Sequence, residues 1–415
     1  MDFVIGVEIA IFGLMLIELS SFLWTRVFPI DPSVEFKKMD DSVLNRFVTF
    51  DAELGHAPVP NTKKVDRDIT GKHYEVVCTY DEIASRISQL DGSVDVMGAA
   101  FGDSFCQCRG VQDNETWQAY LEARFGQRFL NFGVGGYGLD QAYLRYLRVR
   151  DRNLGKTIVY AISPCTIERI VGVYKHYIEF GNYLGVKPRF VVAEGRLHRM
   201  PMPVQSKNDL RNLAKRKSQI RAMDDNYSGY FSKYYPAFPF SFFVARNWRQ
   251  YLISLIAVVA ESRFWRSRGA VVQSLSALKE RLVSKRKNEA YRRKNLYFKK
   301  LFAEKESFFV SIVRECKIAC EADGRSMYFA FLPDYTNISH MREEGHYYRK
   351  VIDRVRSELG ISVFDSYEIF RDASPREIFL KDNYSGHHTA HGNACVAAGL
   401  VDLLGVGVGA QETKQ

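Results

Sequence analysis

The pattern of apolar and polar positions changes character several times along the chain. Residues 3–24 (FVIGVEIAIFGLMLIELSSFLW) form a mostly apolar run of 22. As a helix this run extends roughly 33 Å, the thickness of a bilayer core. Residues 31–92 are polar and mixed, with a short strand predicted over 74–79 and turn chemistry over 51–61 (DAELGHAPVPN). Short apolar runs then alternate with stretches of helical period. Residues 94–100, 128–132, 157–162 (TIVYAI), 326–332 (SMYFAFL) and 361–364 (ISVF) predict buried strands. Residues 115–125 and 141–150 predict helices, and 391–404 predict a closing apolar helix ended by Gly405. Strands alternating with helices imply an α/β fold, a mainly parallel sheet with crossover helices on both faces. Ligands of such folds sit at the carboxyl ends of the strands. Gly102-Asp103-Ser104 and the glycine-rich residues 133–138 fall there.

The N-terminal run is expected to be a single-pass membrane anchor, with a buried or in-plane helix as the alternative. No small-residue cleavage motif follows it, which disfavours a removed signal peptide. Glu8 and Glu18 are its polar blemishes, each near enough to an end to lean toward an interface. Arg26, Lys37 and Lys38 follow the run and no Lys or Arg precedes it. That asymmetry favours a cytoplasmic body without fixing the side.

Composition narrows the class. The 415 residues carry 26% charged and 13% aromatic side chains, which excludes a disordered or collagen-like chain. Seven cysteines, an odd number with no CxxC pair, argue for free thiols rather than a disulfide framework or structural zinc. The net charge is +10, yet residues 262–300 alone hold 13 Lys+Arg and two acids. The basic excess therefore belongs to one stretch and the rest is near neutral. That stretch lies in an excursion between the third and fourth predicted strands, after an aromatic segment (227–248) and an apolar one (251–260). Such a combination suits a lipid headgroup interface, and a cap with a solvated basic helix is the alternative. No nucleic-acid motif accompanies it.

Candidate chemistry gathers in three places. Ser104, just past a strand, would lie at the sheet edge as a nucleophile; otherwise Asp103 or Ser104 caps a turn. Asn131-Phe-Gly-Val-Gly-Gly-Tyr-Gly138 holds four glycines in six residues, so its backbone can approach a substrate and its N–H groups can hold an oxyanion. His387, His388 and His391 precede the closing helix and suggest a base or a metal ligand. A metal is disfavoured because no second cluster stands at ligand spacing.

Taken in order, strand-GDS, strand-NxGxxGxG and a late histidine before the last helix resemble the SGNH (GDSL-type) hydrolase superfamily. The resemblance covers roughly residues 94–162 and 328–404, and the lead-in DAELGHAPVPN looks like that of membrane-anchored members. It implies a three-layer sandwich of flavodoxin-like strand order, with Ser104 as nucleophile and Gly136 beside Ser104 in the oxyanion hole. It selects His387, five residues before Gly392, as the base. Two places depart from the family pattern. Ser163-Pro164-Cys165-Thr166 stands where the third block supplies an oxyanion asparagine. Loss of such a side chain costs about 2.7–4 kcal/mol of transition-state stabilisation in comparable sites. Tyr384 occupies the usual position of the acid, leaving Asp382 for that role.

The expected organisation is an anchor (1–30), a lead-in (31–92), a core in two pieces (93–195 and 307–406), an aromatic and basic insertion (196–306) and a tail (407–415). The expected activity is serine-dependent ester hydrolysis or O-acyl transfer on an acylated glycan or lipid-linked substrate near a membrane. It needs no metal or organic cofactor. The alternative is a catalytically degenerate core that serves as a scaffold in an envelope assembly.

Overall fold

The apolar runs pair as strands β1 (Val96–Gly102), β2 (Arg128–Asn131), β3 (Thr157–Ile162), β4 (Ser326–Phe331) and β5 (Val363–Asp365). They make one parallel sheet of order β2-β1-β3-β4-β5, the doubly wound arrangement with its switch point between β1 and β3. This is a computed structural model, and it describes residues 2–27, 34–67, 75–90, 92–261, 269–381 and 386–412. Consecutive residues Ala99, Ala100 and Phe101 of β1 and Ile158 to Ile162 of β3 are fully buried. Both sides of the pleat are therefore covered, which is why these strands read as continuous rather than alternating apolar runs.

Helices α1 (Trp117–Phe125), α2 (Leu139–Val149), α4 (Arg349–Leu359) and α5 (Ala390–Glu412), with residues 295–322 of α3 (Gly269–Ala322), surround the sheet. Trp117 of α1 packs on Phe129, Tyr146 of α2 stands edge-on to Phe101, and Phe309 of α3 packs on Phe329 and Phe331. Burying one such ring is worth about 1.5–3 kcal/mol, so these contacts fix the layers. Helix α5 runs past Gly405 instead of ending there. A glycine costs about 1 kcal/mol inside a helix but adopts helical angles without strain, so it does not impose a stop.

The chain divides into two compact units, at boundaries different from those the composition suggested. The larger comprises residues 39–174, 184–224 and 295–415. Residues 39–92 of the lead-in belong to it, where Ser85 and Arg86 pair with Asn131 at the end of β2. Residues 196–224 and 295–306 of the expected insertion belong to it as well. The buried Asp224 carboxylate accepts from the N–H groups of Val173 (2.7 Å) and Tyr174 (2.8 Å). Lys187 and Asp140, both buried, form an ion pair at 2.5 Å that fixes the start of α2.

The smaller unit comprises residues 1–38, 175–183 and 225–294. Its apolar helix Asp2–Val27 includes a stretch, Val7–Val27, long and apolar enough to cross a membrane. Glu18 of that helix accepts from the N–H groups of Phe240 (2.6 Å) and Ser241 (3.2 Å), so it caps the helix Phe240–Arg246. The start of the aromatic segment packs on Tyr177 here, with Tyr177, Tyr227 and Phe231 in mutual contact. Of the basic stretch, residues 262–268 and the side chains of 269–291 lie outside the described residues.

Candidate active site

The carboxyl ends of β1, β2 and β3 converge on one loop cluster. β1 ends at Gly102, where a β-carbon would fall 1.7 Å from the Ala161 carbonyl oxygen, so only glycine lets the chain turn away there. Asp103 then caps the one-turn helix Ser104–Gln107, its Oδ1 accepting from Phe105 N–H at 2.9 Å. Its other oxygen accepts from Ser163 N–H (3.0 Å), the Ser163 hydroxyl (2.6 Å) and Arg169 Nη1 (3.2 Å). Asp103 is thus the cap, and Ser104 is the residue it presents.

The glycine loop packs beside that turn. Asn131 Oδ1 accepts from Gly133 N–H at 3.0 Å, curling the chain as it leaves β2. A β-carbon on Gly133 would lie 2.2 Å from the Gln107 nitrogen, and one on Gly135 would lie 3.9 Å from Ser104 Cβ. Gly136 follows at φ +79°, a left-handed conformation open chiefly to glycine. Arg169 ties the two loops together, since Nη1 also donates to the Tyr137 carbonyl at 3.1 Å.

The histidine segment arrives from the other end of the chain. Leu380 N–H donates to the His387 carbonyl (2.7 Å) and Thr389 N–H to the Ile378 carbonyl (2.8 Å). The chain before α5 is therefore held as an antiparallel pair. Thr389 caps α5 through its hydroxyl, which accepts from Gly392 N–H at 3.0 Å. His387 Nε2 comes to 2.9 Å from Ser104 Oγ, and the imidazole stacks on Phe105 with centroids 4.8 Å apart. Both residues are buried. A hydroxyl and an imidazole at this separation can exchange a proton while the oxygen attacks an electrophile.

Comparisons with known proteins add little to this geometry. No protein-family model matches the sequence, and no curated protein does. Among solved structures the chain is similar to the crystal structure of an alpha/beta hydrolase enzyme from the metagenome of Lake Arreo, Spain. The identity is 11% and the TM-score 0.31, over 76% of this chain and 97% of that one.

The three histidines have different surroundings. His388 is enclosed by Phe105, Phe370 and Phe379, and burial first, then the neighbouring His387, pushes its pKa down to about 3. It is a neutral core imidazole. His391 is exposed, with Nε2 3.7 Å from Cys395 Sγ. Asp382 lies outside the described residues. The thiols of Cys106 and Cys108, next to Ser104, are poor nucleophiles, because burial raises the pKa of both and pushes that of Cys108 up to about 12. Among the described residues, no group of three or more His, Cys, Asp or Glu is placed to hold a metal ion.

At the end of β3, the hydroxyls of Ser163 and Thr166 serve the loops. Ser163 donates to Asp103, and Thr166 Oγ1 accepts from Leu139 N–H at 2.8 Å. Three supporting residues were not among the candidates read from the sequence, although His56 lies within the lead-in segment DAELGHAPVPN. These are Arg169, His56, whose Nε2 lies 3.0 Å from the Gly135 carbonyl oxygen, and Arg86. The last donates to the Gln107 (2.7 Å) and Cys108 (2.9 Å) carbonyls behind the Ser104 turn.

Proposed function

We propose that this protein is a membrane-anchored serine hydrolase or O-acyltransferase of SGNH type, acting on an ester-linked acyl group of a glycan or lipid-linked substrate. The observation that carries the reading is the 2.9 Å contact between Ser104 Oγ and His387 Nε2, beside a glycine loop at the carboxyl edge of a parallel sheet. Ser104 Oγ attacks the ester carbonyl carbon as its proton passes to His387 Nε2. The N–H groups of Ser104 and Gly136 hold the tetrahedral oxyanion. Collapse expels the alcohol, which takes the proton from His387 and leaves an acyl-Ser104 ester. Water then yields the acid, whereas a sugar hydroxyl yields the transferred ester. Asp382 orients the imidazole. The helix Val7–Val27 supplies the anchor, and its nearness to lipid motivates the substrate class.

Labelling of the full-length, detergent-solubilised protein with a fluorophosphonate tests the reading. The wild type is expected to be labelled at Ser104 and Ser104→Ala to remain unlabelled. A folded wild type that resists the probe overturns the proposal and leaves the scaffold reading. That reading draws its support from Ser163, whose hydroxyl is engaged by Asp103 at the position where the family pattern has an asparagine. In the same assay, Asp382→Asn is expected to slow labelling less than His387→Ala does. An unaffected Asp382→Asn variant removes the orienting role from that residue.

A further inference from the structure

We infer that His56, from the lead-in, is a positioning residue for the oxyanion site; the inference rests on the acyl-transfer reading above. The half-buried His56 places Nε2 3.0 Å from the carbonyl oxygen of Gly135. A carbonyl only accepts, so Nε2 carries the proton and donates. The Gly135 carbonyl and the Gly136 N–H belong to one peptide unit. That unit is planar and trans, so its C=O and N–H point in opposite directions. Fixing the oxygen on one side therefore fixes the direction of the hydrogen on the other.

This peptide has unusual need of a fixing contact. It joins two glycines, neither of which has a Cβ to restrict rotation about the flanking bonds, and Gly136 already sits at φ +79°. In a loop of this kind the peptide plane is the softest coordinate, and an oxyanion donor is useful only if it is aimed before reaction.

His56 is itself well held. The Tyr137 hydroxyl donates to its carbonyl at 2.5 Å, and the two rings meet edge to face with centroids 5.2 Å apart. Tyr137 is fully buried with Leu54 and Val134. Gln141 Nε2 donates to the Leu54 carbonyl at 2.6 Å, and Arg148 grips Asp51 with two bonds of 2.6 and 2.9 Å. The lead-in is thus a strap anchored at both ends of α2, with His56 turned onto the one glycine peptide that the proposed chemistry uses. The plain alternative is that the bond merely staples the lead-in to the loop.

The test uses full-length protein in detergent with p-nitrophenyl acetate and a fluorophosphonate. His56→Phe keeps a ring against Tyr137 and removes the donor. His56→Met is a second donor-less variant should the phenyl ring prevent folding, and His56→Gln restores an N–H of similar reach. The donor-less variant is expected to lower kcat about 10- to 100-fold, less than outright loss of an oxyanion donor. KM should stay within about twofold and fluorophosphonate labelling should slow in parallel, because only the transition state carries the oxyanion. His56→Gln should recover most of the loss. Wild-type kcat in a folded donor-less variant overturns the inference. So does a loss that His56→Gln fails to rescue and that follows the unfolding midpoint. A wild type inert to both reagents overturns the parent reading and the inference together, whereas a reactive wild type with an equally reactive His56→Phe overturns the inference alone.

Discussion

Ser104→Ala and His387→Ala are each expected to cut ester turnover by about 10⁴- to 10⁶-fold, and the double variant by no more than the worse single one. The reason is that in the proposed mechanism the two groups perform one act. Without the imidazole the hydroxyl keeps its proton at neutral pH and is a poor nucleophile; without the hydroxyl the imidazole has no proton to move. Initial rates on p-nitrophenyl acetate, read beside unfolding midpoints, check this. Independent losses that multiply in the double variant would show that the 2.9 Å contact is structural. The neighbouring histidine is the internal control. His388 lies among three aromatic rings with its pKa near 3, so His388→Ala should cost stability by opening a cavity before it costs turnover. Equal inactivation by His388→Ala, with His387→Ala still active, would transfer the base to residue 388.

The division between what the sequence discloses and what it conceals follows the range of the interactions. Strands buried on both faces announce themselves as short apolar runs, so all five sheet strands were legible, displaced by up to two residues at their ends. The Asp103-Ser104 turn was legible because a cap is a local device: the Asp103 carboxylate bonds to Phe105 two residues on. The choice among three histidines did not follow from residue types alone. His387 and His388 are adjacent, and only the pairing of residues 378–380 with 387–389 turns one toward Ser104 and the other into the aromatic cluster. Nor did the chain's organisation follow from composition. Residues 175–183 belong to one unit while 184–224 belong to the other, and the bonds that draw Asp224 to Val173 and Tyr174 have no periodic signature. Arg86 stands in Ala-Ser-Arg-Ile-Ser, a context indistinguishable from a solvated surface strand.

Arg86 should nevertheless be a costly position in the larger unit. Its side chain is buried, and all five of its donors are used. Nε meets Asp113 at 2.8 Å, Nη1 the carbonyls of Gln107 (2.7 Å) and Cys108 (2.9 Å), and Nη2 those of Val77 (3.2 Å) and Val111 (2.7 Å). No other side chain type presents five donors in a fixed planar fork. Arg86→Met fills much of the same space but strands four carbonyls, and among the described residues it leaves Asp113 the Thr79 N–H alone. Each stranded buried acceptor costs about 1–3 kcal/mol, and breaking a buried ion pair about 3–5. Some of these groups will find water, so a net loss of about 5 kcal/mol is expected, a fall in Tm of roughly 10 °C or more. Arg86→Lys keeps the charge and three donors without the fork, and should recover about half of that loss. The effect should reach the site as well. Gln107 and Cys108 close the turn that presents Ser104, and Gly133 rests against the Gln107 nitrogen. Fluorophosphonate labelling of Arg86→Lys, measured well below its Tm, should therefore be slower than that of the wild type. An unchanged Tm in Arg86→Met would mean that the clasp contributes nothing to the fold. Unchanged labelling in a destabilised Arg86→Lys would mean that it holds the lead-in to the core but does not shape the turn that carries Ser104.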